Sequence, residues 1–286
     1  MGLADGDGVT ILLLRYAEIG LKSEPVRKRF EKQLKDNIVS MLMKDGVEAF
    51  VTKKGARIYV EASDPDAAIR SVRKVFGVAS ISVVETCSSD MEDICRSAAA
   101  YSRGRLSEGQ TFAVDARREG SHPYTSIDVA REAGSAIFLE NQHLGIKVKL
   151  TNPDVKIFIE VRDNMAYIFQ DVILCHAGLP IGTQGKVIAD VDDDRGLVSA
   201  WLVMKRGCRV IFRGTGDFEA LKNYDPEMRM VDDKNEKYAL AYVQGRSLQE
   251  LEGFDASLYD LPVFFPTVAM SDEEVSSMAE GIRSGF

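Results

Sequence analysis

Residues 10–86 change hydrophobic period in a fixed order, and that order limits the fold more than any other feature of the chain. "VTILLLRYAEI" is a short apolar run and reads as a strand. From Glu24 onward Val26, Phe30, Leu34, Ile38, Met41 and Leu42 recur at helical spacing, predicting a long amphipathic helix to about Lys44. "VEAFVTKKGARIYVEA" alternates and breaks at Lys54-Gly55, a hairpin signal. "DPDAAIRSVRKVF" predicts a second helix, with Asp64 as N-cap and Pro65 at the first helical position. "VASISVVET" closes the unit as a strand. The order β-α-β-β-α-β predicts a ferredoxin-like unit with a four-stranded antiparallel sheet.

A second unit begins near Ser88. "DMEDICRSAAAYSR" reads as a helix, "QTFAVDARR" as a strand, and "SIDVAREAGSAIFLEN" as a helix capped by Ser126 or Thr125. Three strands follow, "IKVKL", "KIFIEVR" and "MAYIFQDV", and then a glycine-rich linker, "HAGLPIGTQG". "KVIADVDDDRGLVSAWLVMKRGCRVIF" supplies a buried strand, a turn and an apolar helix, the frame on which phosphate-binding loops are built. Beyond Arg213 the patterning is weak until "DLPVFFPTVAMSDEEVSSMAEGIR". That segment predicts a buried strand, a loop and a final helix, where Ser271 and Glu274 form a capping box. The fold class is mixed α+β and α/β, in three domains at 1–86, 87–172 and 173–286.

Composition excludes several classes. Hydrophobic content of 45% and charged content of 28% are ordinary for a globular chain, and no apolar run is long enough for a membrane helix. The start, "MGLADGDGVT", lacks the basic and apolar stretches of a signal peptide. Cys87, Cys95, Cys175 and Cys208 are scattered, without C-x-x-C or metal-ligand spacing, so a cytoplasmic chain with reduced thiols and no metal is expected. The net charge of −8 is uneven: residues 172–286 hold 12 Lys/Arg against 19 Asp/Glu, a net of −7, leaving residues 1–171 near neutral at −1. A nucleic-acid surface in the first 171 residues therefore has to be a patch.

Basic residues do cluster there. Arg27, Lys28, Arg29, Lys32 and Lys35 lie on one predicted helix, where a solvated face opposite the Phe30–Leu34 stripe is the simpler account of them taken alone. Lys53 and Lys54 stand at the hairpin tip. "DARREGSHPYTS" places Arg117 and Arg118 at a strand end, a loop with His122 and Tyr124, and the hydroxyls of Thr125 and Ser126 at a helix start. Free N–H groups flanked by arginines suit a phosphate, and Tyr124 offers a ring for a base. The competing reading is a capped helix with a packed tyrosine.

At these residues the chain resembles the ThiI family, tRNA 4-thiouridine synthetases also tied to thiamine biosynthesis. "RYAEIGLKS", Arg15 to Ser23, resembles that family's R-Y-G-E-I-x-L-K-G. "RREGSHPYTSIDVARE" and "LTNPDVKIFIEVRDNMAYIF" resemble its THUMP domain, "GLPIGTQGKV" the linker into its PP-loop ATPase domain, and "LPVFFPTVAMSDEEVSSMAEGI" its closing strand and helix. The resemblance implies a ferredoxin-like domain, a THUMP domain and a reduced Rossmann-like domain. It implies tRNA as partner, a possible homodimer, and ATP with Mg as the family's cofactors. The RNA-binding set it implies is Arg15, Lys22, Arg27, Lys28, Lys32, Lys53, Lys54, Arg117, Arg118, His122, Tyr124, Thr125, Ser126, Arg131 and Lys186.

The departure lies at the chemistry. The family's S-G-G-I-D-S loop falls on Val191, Asp192, Asp193, Asp194, Arg195 and Gly196, and none of the six is kept. Small residues let backbone N–H groups wrap a pyrophosphate; aspartates invert the sign. One like-charge contact at ~4 Å costs about 1 kcal/mol in water and about 4 at an effective dielectric of 20. A solvated acidic turn with Asp194 capping the helix is the expected state; the other is a Mg²⁺ held by Asp192 to Asp194. No cysteine follows Cys208, and only residues 213–260 separate "RVIF" from "LPVFFP", so the adenine-binding and cysteine-bearing portion is expected to be missing. The expected function is tRNA binding without catalytic residues or cofactors of its own, with another tRNA-modifying enzyme as a candidate partner. Two alternatives stand beside it. One is an active tRNA uracil 4-sulfurtransferase using Cys87, Cys95 or Cys175; the other is an interaction module using the acidic C-terminal domain.

Overall fold

The computed structural model describes residues 8–285; the acidic, glycine-rich residues 1–7 lie outside them. The first elements are β1 (Thr10–Arg15), α1 (Glu24–Lys44), β2 (Ala49–Lys54), β3 (Arg57–Ala62), α2 (Pro65–Val72) and β4 (Ser80–Ser88). Their sheet order is β2-β3-β1-β4, which is the ferredoxin-like arrangement. Phe30, Leu34, Ile38, Met41 and Leu42 of α1 are buried, as the helical period predicts. The hairpin closes at Lys54↔Arg57, with Gly55 at φ 55°. Asp64 caps α2 by accepting from the N–H of Ala67 at 2.9 Å, and Pro65 is its first residue.

The next elements are α3 (Met91–Ser102), β5 (Thr111–Glu119), α4 (Ser126–Glu140), β6 (Lys147–Val148), β7 (Val155–Arg162), β8 (Met165–Phe169) and β9 (Ile173–Leu174). β5 pairs in parallel with β7 from Phe112↔Val155 to Glu119↔Arg162, and β8 joins β7 to β4 by antiparallel pairing. Ile94, Ala98, Val129, Ala133 and Ile137 of the two helices share a core with Ile157, Ile159 and Ile168. "IKVKL" is longer as a sequence pattern than as a strand, since β6 keeps two residues. The chain turns at Pro153, and Asp154 accepts from the N–H and hydroxyl of Thr111 at 2.8 and 2.6 Å.

The last part contains β10 (Lys186–Asp190), α5 (Asp194–Lys205), β11 (Arg209–Arg213), α6 (Phe218–Lys222), β12 (Arg229–Met230), β13 (Ala239–Gln244), β14 (Val263–Phe264) and α7 (Asp272–Ser284). All five strands are parallel, in the order β12-β11-β10-β13-β14, a Rossmann-like sheet. Val187, Ala189, Val210, Phe212, Ala241 and Val243 pack with Leu197, Trp201 and Met204 of α5 and with Val275, Ala279 and Ile282 of α7. The opposite face carries Ile188 and Ile211, and Val231, Tyr242 and Leu261 cover them from irregular chain and strand. A doubly wound sheet has helices on both faces; in this one the second covering is non-helical.

That covering explains the weak pattern after Arg213, which conceals α6, β12 and β13. The expected buried closing strand is also corrected. β14 has two residues and Phe264 is 54% exposed. Pro262 and Pro266, which lack N–H groups, bracket it. The final helix starts as expected, on a reciprocal Ser271–Glu274 capping box.

The chain divides into two compact units, residues 14–81 with 174–285 and residues 82–173 with 10–13. Within the first, the glycine-rich linker is pinned to the end of α5. Leu179 N–H donates to the carbonyl of Lys205 at 2.9 Å, and a Cβ on Gly178 (φ 80°) would sit 2.2 Å from that oxygen. His176 packs edge-on against Trp201 at 5.2 Å and lies 5.8 Å from Phe76. Among the described residues no helix is long and apolar enough to cross a membrane.

Candidate nucleic-acid interface

β5 carries Arg117 and Arg118 outward at its C-terminal end, and both are exposed. The side chain of Arg117 makes no ion pair or hydrogen bond among the described residues. Arg118 donates to the carbonyl of Gly120 at 2.6 Å and approaches Nδ1 of His122 at 3.5 Å. The other ring nitrogen of His122 meets the carbonyl of Asp163 at 2.5 Å. Tyr124 stacks on His122 at 5.3 Å, and its hydroxyl donates to the carbonyl of Ser89. The loop is therefore built, and one face of the tyrosine ring is already covered.

Thr125, not Ser126, is the N-cap of α4. Its hydroxyl accepts from Asp128 N–H at 3.2 Å, while the Asp128 carboxylate accepts from Thr125 N–H at 2.9 Å. The capping box thus takes two of the donors that the sequence offers to an anion, leaving the N–H groups of Ser126 and Ile127. Those hydrogen bonds hold the Asp128 carboxyl below its usual range. Arg131 pairs with Asp128 and Glu132, both at 3.1 Å.

In the ferredoxin-like part the basic residues divide into engaged and free. Glu31 on α1 is 4% exposed, and the sequence reading passed over it. It accepts from the hydroxyl of Tyr16 and pairs with Lys53 at 2.8 Å and Arg27 at 4.0 Å. Burial, and then the bond to Glu31, push the Tyr16 phenol well up. The signal was present: Glu31 sits seven residues before Ile38, on the apolar stripe. Lys28 pairs with Glu24 at 2.7 Å. Among the described residues, Lys22, Lys32 and Lys54 are exposed and have no ion pair, Lys35 is half-buried and has none, and Arg15 is half-buried at the end of β1. Lys186 is exposed at the start of β10.

The strand–loop–helix runs β10, Val191 to Asp193, α5, and it is closed on the protein's own atoms. Asp193, not Asp194, is the helix cap: its Oδ1 accepts from Gly196 N–H at 2.7 Å. Asp192 accepts from the N–H and hydroxyl of Thr215 at 2.9 and 3.1 Å. Asp194 pairs with Arg283 at 2.5 Å, and Arg283 reaches Asp217 at 3.2 Å. The three carboxylates thus hold three different partners; Asp192 and Asp193 are exposed, as an acidic turn requires, and the correction is that Asp193 rather than Asp194 caps the helix. Among the described residues no three acidic, histidine or cysteine side chains are placed to hold a metal. Arg195 is buried and donates to the carbonyls of Thr267 at 2.9 Å and Met270 at 3.2 Å. Gly245 comes so close that its Cβ would lie 2.3 Å from the nitrogen of Gly196. At the strand ends beside the loop, Asp190 accepts from Arg213 at 2.5 Å and Gln244 at 2.8 Å.

None of the four cysteines forms a disulfide among the described residues, and all are partly buried. Burial pushes every thiol up, Cys175 to about 11. None of them is a ready thiolate at neutral pH.

Residues 11–82 match the ThiI ferredoxin-like domain, and residues 88–171 match the THUMP domain. A probable tRNA sulfurtransferase of Methanosarcina acetivorans is 39% identical over 206 residues, covering 70% of this chain and 49% of the relative. One of Methanocaldococcus jannaschii is 34% identical over 240 residues, covering 77% and 62%. The chain spans about half the length of the curated relatives it matches. Among solved structures, PH1313 from Pyrococcus horikoshii is 26% identical with a TM-score of 0.79, over 97% of this chain and 100% of the other. A 4-thiouridine synthetase in complex with RNA and ATP shares the fold at 21% identity, with a TM-score of 0.76 over 96% and 85% of the two chains.

Proposed function

We propose a function from the premise that this chain belongs to the ThiI family, whose ferredoxin-like and THUMP domains it carries: it binds tRNA and has lost the family's adenylating and sulfur-transferring chemistry. The observation that carries the second half is the cap of α5. An ATP loop keeps its helix N–H groups open for pyrophosphate. Here the Asp193 carboxylate holds the Gly196 N–H, Gly245 lies against that same nitrogen, and Asp192 and Asp194 face the same end. An anion brought there meets carboxylates and backbone that already satisfy each other.

Support for the first half comes from the THUMP match and from Arg117, whose exposed guanidinium is unspent. Sulfur transfer needs an activated uracil oxygen, a persulfide-bearing cysteine and a bound tRNA together. The half-buried, high-pKa thiols and the closed loop argue against the first two.

The test is direct. Purified protein with ATP, a sulfur donor and unmodified tRNA is expected to bind the tRNA and form no 4-thiouridine, read by its near-ultraviolet absorbance. Thiouridine formed by the protein alone, and lost on replacing Cys87, Cys95 or Cys175, overturns the reading.

A further inference from the structure

The parallel sheet has a second polar feature, away from the loop. At the N-terminal ends of β10 and β11 a depression of about 670 Å³ is bordered by Lys186, Arg209, Arg229, Lys234 and Tyr238. Tyr238 is 58% exposed, and the ammonium groups of Lys186 and Lys237 lie 5.3 and 5.2 Å from its ring centre.

The charges around it are unequally engaged. Asp225 and Glu227 both face Arg209, and Asp232 accepts from the N–H groups of Lys234 and Asn235 at 2.9 and 2.8 Å. Lys186, Arg229, Lys234 and Lys237 have no carboxylate within ion-pair reach among the described residues. Asp233 and Glu236 are close in sequence but do not line the depression. Three cations without a carboxylate partner therefore line the depression with one exposed ring, and a fourth, Lys237, lies against that ring, in a domain whose net charge is −7.

We infer that this depression binds single-stranded RNA, a base stacking on Tyr238 and the flanking phosphates pairing with Lys186, Arg229 and Lys234. The inference rests on the tRNA-binding reading for its biological ligand, and adds a contact surface in the C-terminal domain. An aromatic face with interleaved cations is the arrangement that holds unpaired nucleotides without reading their sequence. A lysine over an exposed ring is weakly held, so a base displaces it and leaves its ammonium for the adjacent phosphate.

The experiment uses the full chain and two probes, a labelled unstructured ten-nucleotide RNA and whole tRNA. Tyr238→Ala is expected to weaken the short RNA about five-fold or more, while Tyr238→Phe, which keeps the ring, binds like the parent. The pair Lys186→Ala and Lys234→Ala is expected to lower the salt dependence of binding by about one phosphate contact or more. Tyr238 and both lysines are exposed, so unchanged thermal midpoints certify the fold of each variant. Unchanged affinity for the short RNA in Tyr238→Ala and in the lysine pair overturns the inference, even where Arg117 and Arg118 variants still weaken tRNA. Equal competition by a mononucleotide overturns it too, because the site then takes free nucleotide. Loss of tRNA binding alone, with short RNA still held through Tyr238, sinks the tRNA reading and leaves this one standing.

Discussion

The carboxylate of Asp193 lies 2.7 Å from the backbone nitrogen of Gly196, three residues on, and takes the N–H that a phosphate needs at the start of α5. The bond is local, and it has a stability consequence. Asp193→Ala is expected to lower the unfolding free energy by about 1 kcal/mol, the usual cost of losing a helix cap, read by urea denaturation. It is not expected to create ATP binding, because Gly245 and the Asp192 and Asp194 carboxylates remain. Calorimetry with Mg·ATP at millimolar concentration checks both proteins; a saturable signal in either contradicts the closed loop.

Arg195 stands where the resembled family's loop has its aspartate, and it points inward. Its guanidinium holds the carbonyls of Thr267 and Met270, which join β14 to α7, and it meets exposed Asp272. The two carbonyls matter more than the ion pair, since a salt bridge to an exposed partner contributes little. Arg195→Ala leaves buried acceptors unpaired and a void behind them, and a loss of about 2–4 kcal/mol is expected. Arg195→Lys, with one compact ammonium in place of a planar fork, recovers only part of it. Equal stability of parent and alanine variant contradicts the anchoring role.

How far such features can be read without coordinates depends on what distinguishes neighbouring residues. The long period of α1 was legible because Phe30, Leu34 and Ile38 are large, apolar and all buried. Asp192, Asp193 and Asp194 are chemically identical in a row, and only the extended backbone of Asp193 (φ −140°, ψ −175°) makes it the cap. β13 was passed over because the residues it turns toward α5 are Ala241 and Val243 rather than large side chains, and Ala239 packs on the other face. Alanine is what room beneath α5 permits, and it leaves a faint alternation. Lys53 and Arg27 read as free charges for a different reason: the buried Glu31 that engages them comes from the helix stripe.

Arg117 and Arg118 end β5 side by side in sequence but differ in what they already hold. Replacing both by alanine is expected to weaken tRNA binding at low salt by at least ~1 kcal/mol and to flatten the salt dependence by about one to two contacts. Arg117→Ala alone is expected to carry the larger share, because Arg118 also serves Gly120 and His122. Fluorescence anisotropy across a salt series measures both. No change in affinity removes the THUMP segment from the interface.

His176 gives the fold a pH dependence whose sign follows from its surroundings. Burial, with Lys205 and Arg73 nearby, lowers its pKa from 6.5 to about 4. The unfolded chain therefore takes up a proton near pH 6.5 that the folded chain refuses until about pH 4. Its contribution to stability is fully present above pH 6.5 and is lost as the pH falls toward 4. The ring sits between Phe76, Trp201 and Tyr224, so a phenyl ring fills the same space without titrating. His176→Phe is expected to lose less of its thermal midpoint than the parent does between pH 6.5 and 4.5. Carboxylates elsewhere titrate identically in both proteins, so the difference between the two curves isolates this ring. Parallel curves across that window contradict the assignment.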